Sequence, residues 1–246
     1  MGEHIWADEA YATKLTKDLY HPRSSKHGDF ICVKLLEDLV YSCDRLRDHA
    51  TSGKIVYELN HTVDPESPLK WTIDLVIGPP SGEQEVILMD GLPPMGSPKD
   101  IWMAVDAKSI MTEHGKARRN RVRDMNSLHD LLHRSNEMTV VGGLLAINIS
   151  PTFFSPLRNG EVTEHKNIHR LVEESIEMFR TLPRAQSDAI GHGLDAMGII
   201  VLSHSNIKGE ACELVLEPPA PPPGDSVHYR SFVNDLCRSY TDRYGR

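Results

Sequence analysis

The sequence predicts a mixed α/β protein, with one sheet that is partly antiparallel and partly parallel and helices on both faces. Three observations carry this reading. Apolar positions at Cys32, Leu35, Leu36, Leu39, Val40, Cys43 and Leu46 recur at the spacing of one helical face. Three strand-like runs follow, joined by short links or a Gly/Pro-rich insert, as an antiparallel meander allows. Beyond them helical and strand patterns alternate, which suits parallel crossovers.

The elements are justified in order. Residues 1–28 are polar, carry "HPRSSKHG", and predict an irregular N-terminal arm. Residues 29–49 predict a helix, with Asp29 able to cap its start. "KIVYELNHTV" (54–63) reads as a strand, "DPESP" as a turn, and "KWTIDLVIG" (70–78) as a second strand stopped by Pro79 and Pro80. Residues 79–100 are a loop insert around a short "EVILMD", and "IWMAVDAKSIM" (101–111) is the third strand. A helix is expected over 117–135. The nearly all-apolar "TVVGGLLAINIS" (139–150) predicts a strand covered on both faces. A helix over 168–182, a strand over 195–205, a rigid proline-rich spacer "PPAPPPG" (218–224) and a last helix over 226–242 complete the chain. No internal repeat is present.

Composition sets the bounds. A chain of 246 residues with 39% apolar and 25% charged residues can bury a real core. No apolar run approaches the length of a transmembrane helix, and "MGEHIWADEAY" lacks the pattern of a secretory signal, so a cytoplasmic protein without membrane association is expected. The cysteines Cys32, Cys43, Cys212 and Cys237 show no C-x-x-C spacing, which argues against a zinc knuckle. A net charge of −8 argues against a general nucleic-acid coat, but screening over about 8 Å lets a local cationic patch act alone.

The chemistry lies in acids and a lysine inside apolar strands. The spacing D-x-K means nothing alone: with 35 acids, chance places an acid two residues before about 1.6 of the lysines at uniform composition, and two such pairs occur. Context separates them. Glu164–Lys166 lies in a polar segment and reads as solvated surface, whereas Asp106–Lys108 closes an apolar strand. Alternation puts Asp106 and Lys108 on one face, their Cα atoms about 6–7 Å apart. Asp74 sits in "WTIDLVIG", with Trp71, Ile73, Leu75 and Ile77 expected on one face and Asp74 with Val76 on the other. Burying these charges without a purpose is costly. Two converging carboxylates repel unless a cation lies between them, and hard oxygens are what Mg²⁺ takes.

These residues resemble the PD-(D/E)XK nuclease superfamily, whose members include many Type II restriction endonucleases. The resemblance rests on Asp74, Asp106 and Lys108 on successive strands, and covers about residues 29–156, leaving 157–246 as an extension of the same domain for target reading or dimer contacts. Ile73 stands where the motif's name has Pro, and the long gap between Asp74 and Asp106 requires the insert 79–100 to loop out. The resemblance implies a restriction-endonuclease-like mixed sheet flanked by helices. It implies a metal site of Asp74, Asp106 and the Ala107 carbonyl for Mg²⁺, with Mn²⁺ as a substitute, and Lys108 as catalytic lysine. A further acid is implied from the first helix, Glu37, or less directly Glu58. Hydrolysis of double-stranded DNA by a homodimer is the implied activity. The alternatives are a catalytically inactive DNA-binding subunit of the same fold and a metal-dependent hydrolase of small phosphoesters.

Positive charge follows the D-x-K strand: Lys116, Arg118, Arg119, Arg121 and Arg123 carry five charges without an acid among them. At 100° per residue Lys116, Arg119, Asn120, Arg123 and Ser127 form one stripe, and Ala117, Met125, Leu128 and Leu132 lie opposite. Lys116, Arg119 and Arg123 are therefore the expected contacts to DNA phosphates. Arg121 falls toward the apolar side and has no place in that scheme. His165 and His169 have zinc-compatible spacing but no third ligand in register. Asp188, His192 and Asp195 read as a loop before a strand, and His204 with Ser205 as a strand end.

Overall fold

A computed structural model describes residues 4–63, 71–82, 91–158, 161–185 and 192–245. The elements in chain order are α1 (Ala7–Lys17), α2 (Lys26–Ser42), α3 (Asp44–Thr51), β1 (Val56–Val63), β2 (Trp71–Gly78), β3 (Met103–Ile110), α4 (His114–Ser135), β4 (Val140–Asn148), β5 (Thr152–Phe154), β6 (Val162–Glu164), α5 (Ile168–Arg180), β7 (Ala196–Ser203), β8 (Glu213–Leu214) and α6 (Tyr229–Tyr244). Six strands form one sheet in the order β1-β2-β3-β4-β7-β8, while β5 and β6 pair separately.

The sheet is mixed in the way the linkers dictate. β1, β2 and β3 are antiparallel neighbours. β4 runs parallel to β3 after the α4 crossover, and β7 parallel to β4 after α5. Both faces are covered. One core joins Leu75, Val105 and Leu144 of the sheet to Tyr11 and Leu15 of α1, Leu35 and Leu39 of α2, Leu46 of α3, and Phe232 and Leu236 of α6. The other joins Val76, Ala104 and Leu145 to Met125 and Leu128 of α4 and Val172 and Phe179 of α5. β4, buried at every position, has a helix layer on each side, as its apolar run requires.

Two glycines set the closeness of α6. A Cβ on Gly142 would lie 3.0 Å from Leu236, and one on Gly198 would lie 2.8 Å from the ring of Phe232. β4 and β7 thus present bare backbone to the helix. β4 is pinned at its far end by Asn148. Its amide donates to the carbonyls of Met111 and His204, and its side-chain oxygen accepts from the amides of Ser150 and His204.

Several expectations need correction. The expected arm 1–28 contains α1, because Ala7, Tyr11, Ala12 and Leu15 share one buried face at helical spacing. The helix expected over 29–49 is two helices, broken where Cys43 takes an extended backbone. It starts earlier, at Lys26, so Asp29 lies inside the first turn and accepts from Ser25 Oγ. α4 also starts earlier than expected, at His114. The proline-rich segment is no free spacer: Ala220 is buried in the second core, and Arg180 of α5 holds Asp225 just beyond at 2.6 Å. The short strands β5, β6 and β8 were not foreseen; three residues or fewer carry no readable period. "EVILMD" (85–90) and "DPESP" (64–68) lie outside the described residues. No helix among the described residues is long and apolar enough to cross a membrane.

Candidate active site

The site begins where β2 and β3 part. Their pairing runs through Ile77↔Met103, Val76↔Ala104 and Leu75↔Val105 and goes no further. On the other side of β2, Asn60 of β1 has a left-handed backbone (φ 55°) and drops out of register with Asp74. The strict alternation expected along β2 breaks at this point: Ile73 packs in the second core with Val76, whereas Leu75 and Ile77 belong to the first. Asp74 fills the resulting gap. Its Oδ2 accepts the backbone N–H of Ala107 at 2.8 Å.

Lys108 closes the cluster. Its ammonium donates to Asp74 Oδ2 at 3.0 Å and to Asp106 Oδ1 in a shorter contact. The three side chains predicted to converge are thus in mutual contact. Asp106 is the most deeply placed, at 4% exposure. Burial raises its pKa to about 7; the Asp74 carboxylate pushes the same way, and the Lys108 ammonium opposes both without cancelling them. Burial works against the ammonium of Lys108 too, but the two carboxylates outweigh it and its pKa is raised. The lysine is charged at neutral pH and pairs with both acids.

A cleft of about 170 Å³ opens over this cluster, with Asp74, Ala107, Lys108 and Ser109 on its floor. Its walls come from α1, the α1–α2 connection, α2 and α4, including Tyr11, Tyr20, His27 and Arg121. Tyr20 and Ser109 join hydroxyls at 2.7 Å. Tyr20, His27 and Arg121 were not singled out for a site from the sequence. Arg121 did leave a signal there, as a cation of its cluster that falls toward the apolar side and not on the outer stripe. Tyr20 and His27 left none, since their place depends on how the first 28 residues fold back over the sheet.

The remaining candidates divide. Lys116, Arg119 and Arg123 are exposed on α4 and have no ion-pair partner among the described residues, whereas Arg118 is engaged with Glu174 of α5 at 2.7 Å. Glu37 ion-pairs with Lys34 on its own helix at 2.7 Å and does not line the cleft. Glu58 accepts from His61 and Ser97 and does not line it either. The structure therefore leaves both acids outside the cluster. Asp195, nearly buried, is occupied by Arg243 and the amide of Val141, a structural role. His165 bonds the Ser150 carbonyl while His169 is exposed. His204 is buried, with its ring against Asn206, and His192 is exposed; Asp188 lies outside the described residues.

Asp74 and Asp106 are hard oxygen donors, the kind a divalent cation takes. The Ala107 and Lys108 donors both fall on Asp74 Oδ2, and the Asp74 carboxylate also faces that of Asp106. Among the described residues no group of three or more His, Cys, Asp or Glu side chains is arranged to hold a metal. A cation at Asp74 and Asp106 would complete its shell with backbone oxygen and water, which is the habit of Mg²⁺. Compared with models of protein families, with curated proteins and with solved structures, the chain matches none.

Proposed function

We propose that this chain is a Mg²⁺-dependent endonuclease of double-stranded DNA, with a restriction-endonuclease-like arrangement of its mixed sheet. One observation carries the reading: Asp74 and Lys108 lie at the floor of an open cleft, and Lys108 joins them to Asp106 buried beneath, on two strands that separate beside them. Two carboxylates and a lysine are costly to bury together for stability alone.

Asp74 and Asp106, with the Ala107 carbonyl, would hold Mg²⁺ or Mn²⁺. When bound, the cation supplies Lewis-acid polarisation of a phosphate oxygen and acidifies water. Lys108, released from one carboxylate, orients the attacking water in line with the scissile P–O bond and offsets charge developing on the phosphoryl oxygens. The water oxygen bonds to phosphorus as the bond to the leaving sugar oxygen breaks. Lys116, Arg119 and Arg123 hold backbone phosphates and fix the duplex against α4 without reading sequence. A homodimer would present one such cleft to each strand.

The test is incubation of supercoiled plasmid with the purified protein in Mg²⁺ and, separately, in excess EDTA. Nicked or linear product in Mg²⁺ alone is expected. Plasmid that stays supercoiled in both, in Mn²⁺ as well, would falsify the endonuclease.

A further inference from the structure

The cleft over the acid–lysine cluster does not end at Arg121. A second hollow adjoins it, lined by Met111, Phe153, Ser155, Leu157 and Arg158, and the two share Tyr20, Pro22, Ser109 and Arg121. They form one groove with Arg121 at its waist.

Arg121 is poorly satisfied there. Its only partner among the described residues is Asp124, one turn along α4, at 3.5 Å, the limit of a hydrogen bond. Its Nε is buried and has no acceptor among the described residues, while the side chain as a whole is 38% exposed toward the groove. A guanidinium presents five donors in a planar fork, and a buried donor without a partner is destabilising. The sequence contains a reason for this orientation. Arg121 lies one turn beyond Ala117, on the side of α4 that turns toward the sheet, while Lys116, Arg119 and Arg123 face outward.

We infer that Arg121 is a phosphate-binding residue inside the groove, holding a phosphate of the bound strand next to the acid–lysine cluster. The ligand chemistry is set by the fork, which matches two oxygens of a phosphate, and by the neighbouring cluster, whose two acids Lys108 already pairs. The groove's continuation past Arg121 gives a strand somewhere to run, with the exposed Leu157 beside the nucleotide beyond. That the phosphate belongs to a DNA strand rests on the endonuclease reading; that the site takes a phosphate does not.

The experiment separates the two. Wild type, Arg121→Ala, Arg121→Lys and Arg119→Ala are titrated without metal against a 5′-phosphorylated thymidine dinucleotide, too short to span groove and outer stripe, and against a fluorescent duplex over a salt series. Thermal melts confirm folding. Arg121→Ala is expected to weaken the dinucleotide about tenfold or more, as loss of a charge-assisted hydrogen bond does. Its log–log salt slope on duplex should fall by about 0.9. Arg121→Lys should restore the slope but only part of the dinucleotide affinity, because an ammonium lacks the fork. Arg119→Ala should leave the dinucleotide unchanged. If Arg121→Ala binds both ligands as wild type does, the inference is overturned while plasmid cleavage still stands. If wild type cuts no plasmid yet loses the dinucleotide with Arg121, the endonuclease falls and the phosphate site stays. If wild type binds neither ligand, the site falls with it.

Discussion

Asp74 accepts the backbone N–H of Ala107 at 2.8 Å, so a side chain of β2 occupies the place where the ladder to β3 would otherwise continue. The bond does two things at once. It satisfies an amide that the separating strands would leave open, and it fixes the carboxylate between Asp106 and Lys108. The position of the acid is built into the sheet itself and does not depend on a loop.

Asp74→Asn, Asp106→Asn and Lys108→Ala should each lower Mg²⁺-dependent plasmid cleavage at least about a hundredfold, as loss of a preorganised charge does. Each should keep the circular dichroism of the wild type. A folded, purified variant that cuts at the wild-type rate would remove its residue from the chemistry.

The ammonium of Lys108 and a divalent cation compete for the same two carboxylates. Lys108→Ala should therefore bind Mn²⁺ at least as tightly as wild type by calorimetric titration, although it is inactive, and Asp74→Asn and Asp106→Asn should bind it far more weakly. Metal-free affinity of those two Asn variants for duplex should equal or exceed that of wild type, since negative charge beside a phosphate has been removed. Weaker Mn²⁺ binding by Lys108→Ala would show that the lysine supports the metal and does not displace it.

Lys116, Arg119 and Arg123 are exposed and unpaired among the described residues, so each is free for a phosphate. Alanine at any one should weaken cognate and random duplex alike and lower the log–log salt slope by about 0.9. A loss confined to one sequence would mark base reading instead. No change on either duplex would leave the stripe a solvated face.

His114 lies buried at the start of α4, its Nε2–H donating to the Asn148 carbonyl at 2.7 Å. Burial pushes its pKa down to about 4. The sign follows from linkage. As pH falls below 6.5 the unfolded chain takes up a proton that the folded chain refuses, so this stability is present above 6.5 and is lost progressively toward pH 4. His114→Gln should lose about 3 kcal/mol less than wild type over that interval, measured by urea unfolding at each pH. Parallel pH profiles for the two proteins would refute the assignment.

The backbone approach of β7 to α6 has a direct test. Phe232 is fully buried, so the Cβ of Gly198→Ala has no open space to push the ring into. Destabilisation of about 1–3 kcal/mol is expected, with a fall in Tm of roughly 2–4 °C for each kcal/mol. A Tm equal to wild type would mean that α6 shifts without strain.

The three polar residues of the cluster were legible because each interrupts an apolar strand, and the order of the larger elements followed from period and linker length. The groove was not legible. Helical spacing put Arg121 on the apolar side of α4 but could not say that this side ends at an opening between strands. Composition made 1–28 look unstructured, although Ala7, Tyr11 and Leu15 carry a helical face; their partners lie in α2 and in the sheet, far along the chain. The break in alternation at Ile73 depends on the left-handed Asn60 of a different strand, which no pattern within β2 contains.

α6 also dictates when the molecule can finish folding. Tyr229 donates to Asp38 of α2 at 2.6 Å, and the Tyr240 hydroxyl meets His49 Nδ1 of α3 at 2.8 Å, both across 191 positions of sequence. Until α6 leaves the ribosome, the faces of α2, β4 and β7 that it covers stand bare. At typical synthesis rates the interval between α2 and α6 is on the order of ten to forty seconds. Contacts so distant in sequence also slow closure of the core. The apolar face of α2 thus waits through that interval, and those of β4 and β7 through the shorter part left after their own synthesis, before α6 covers them.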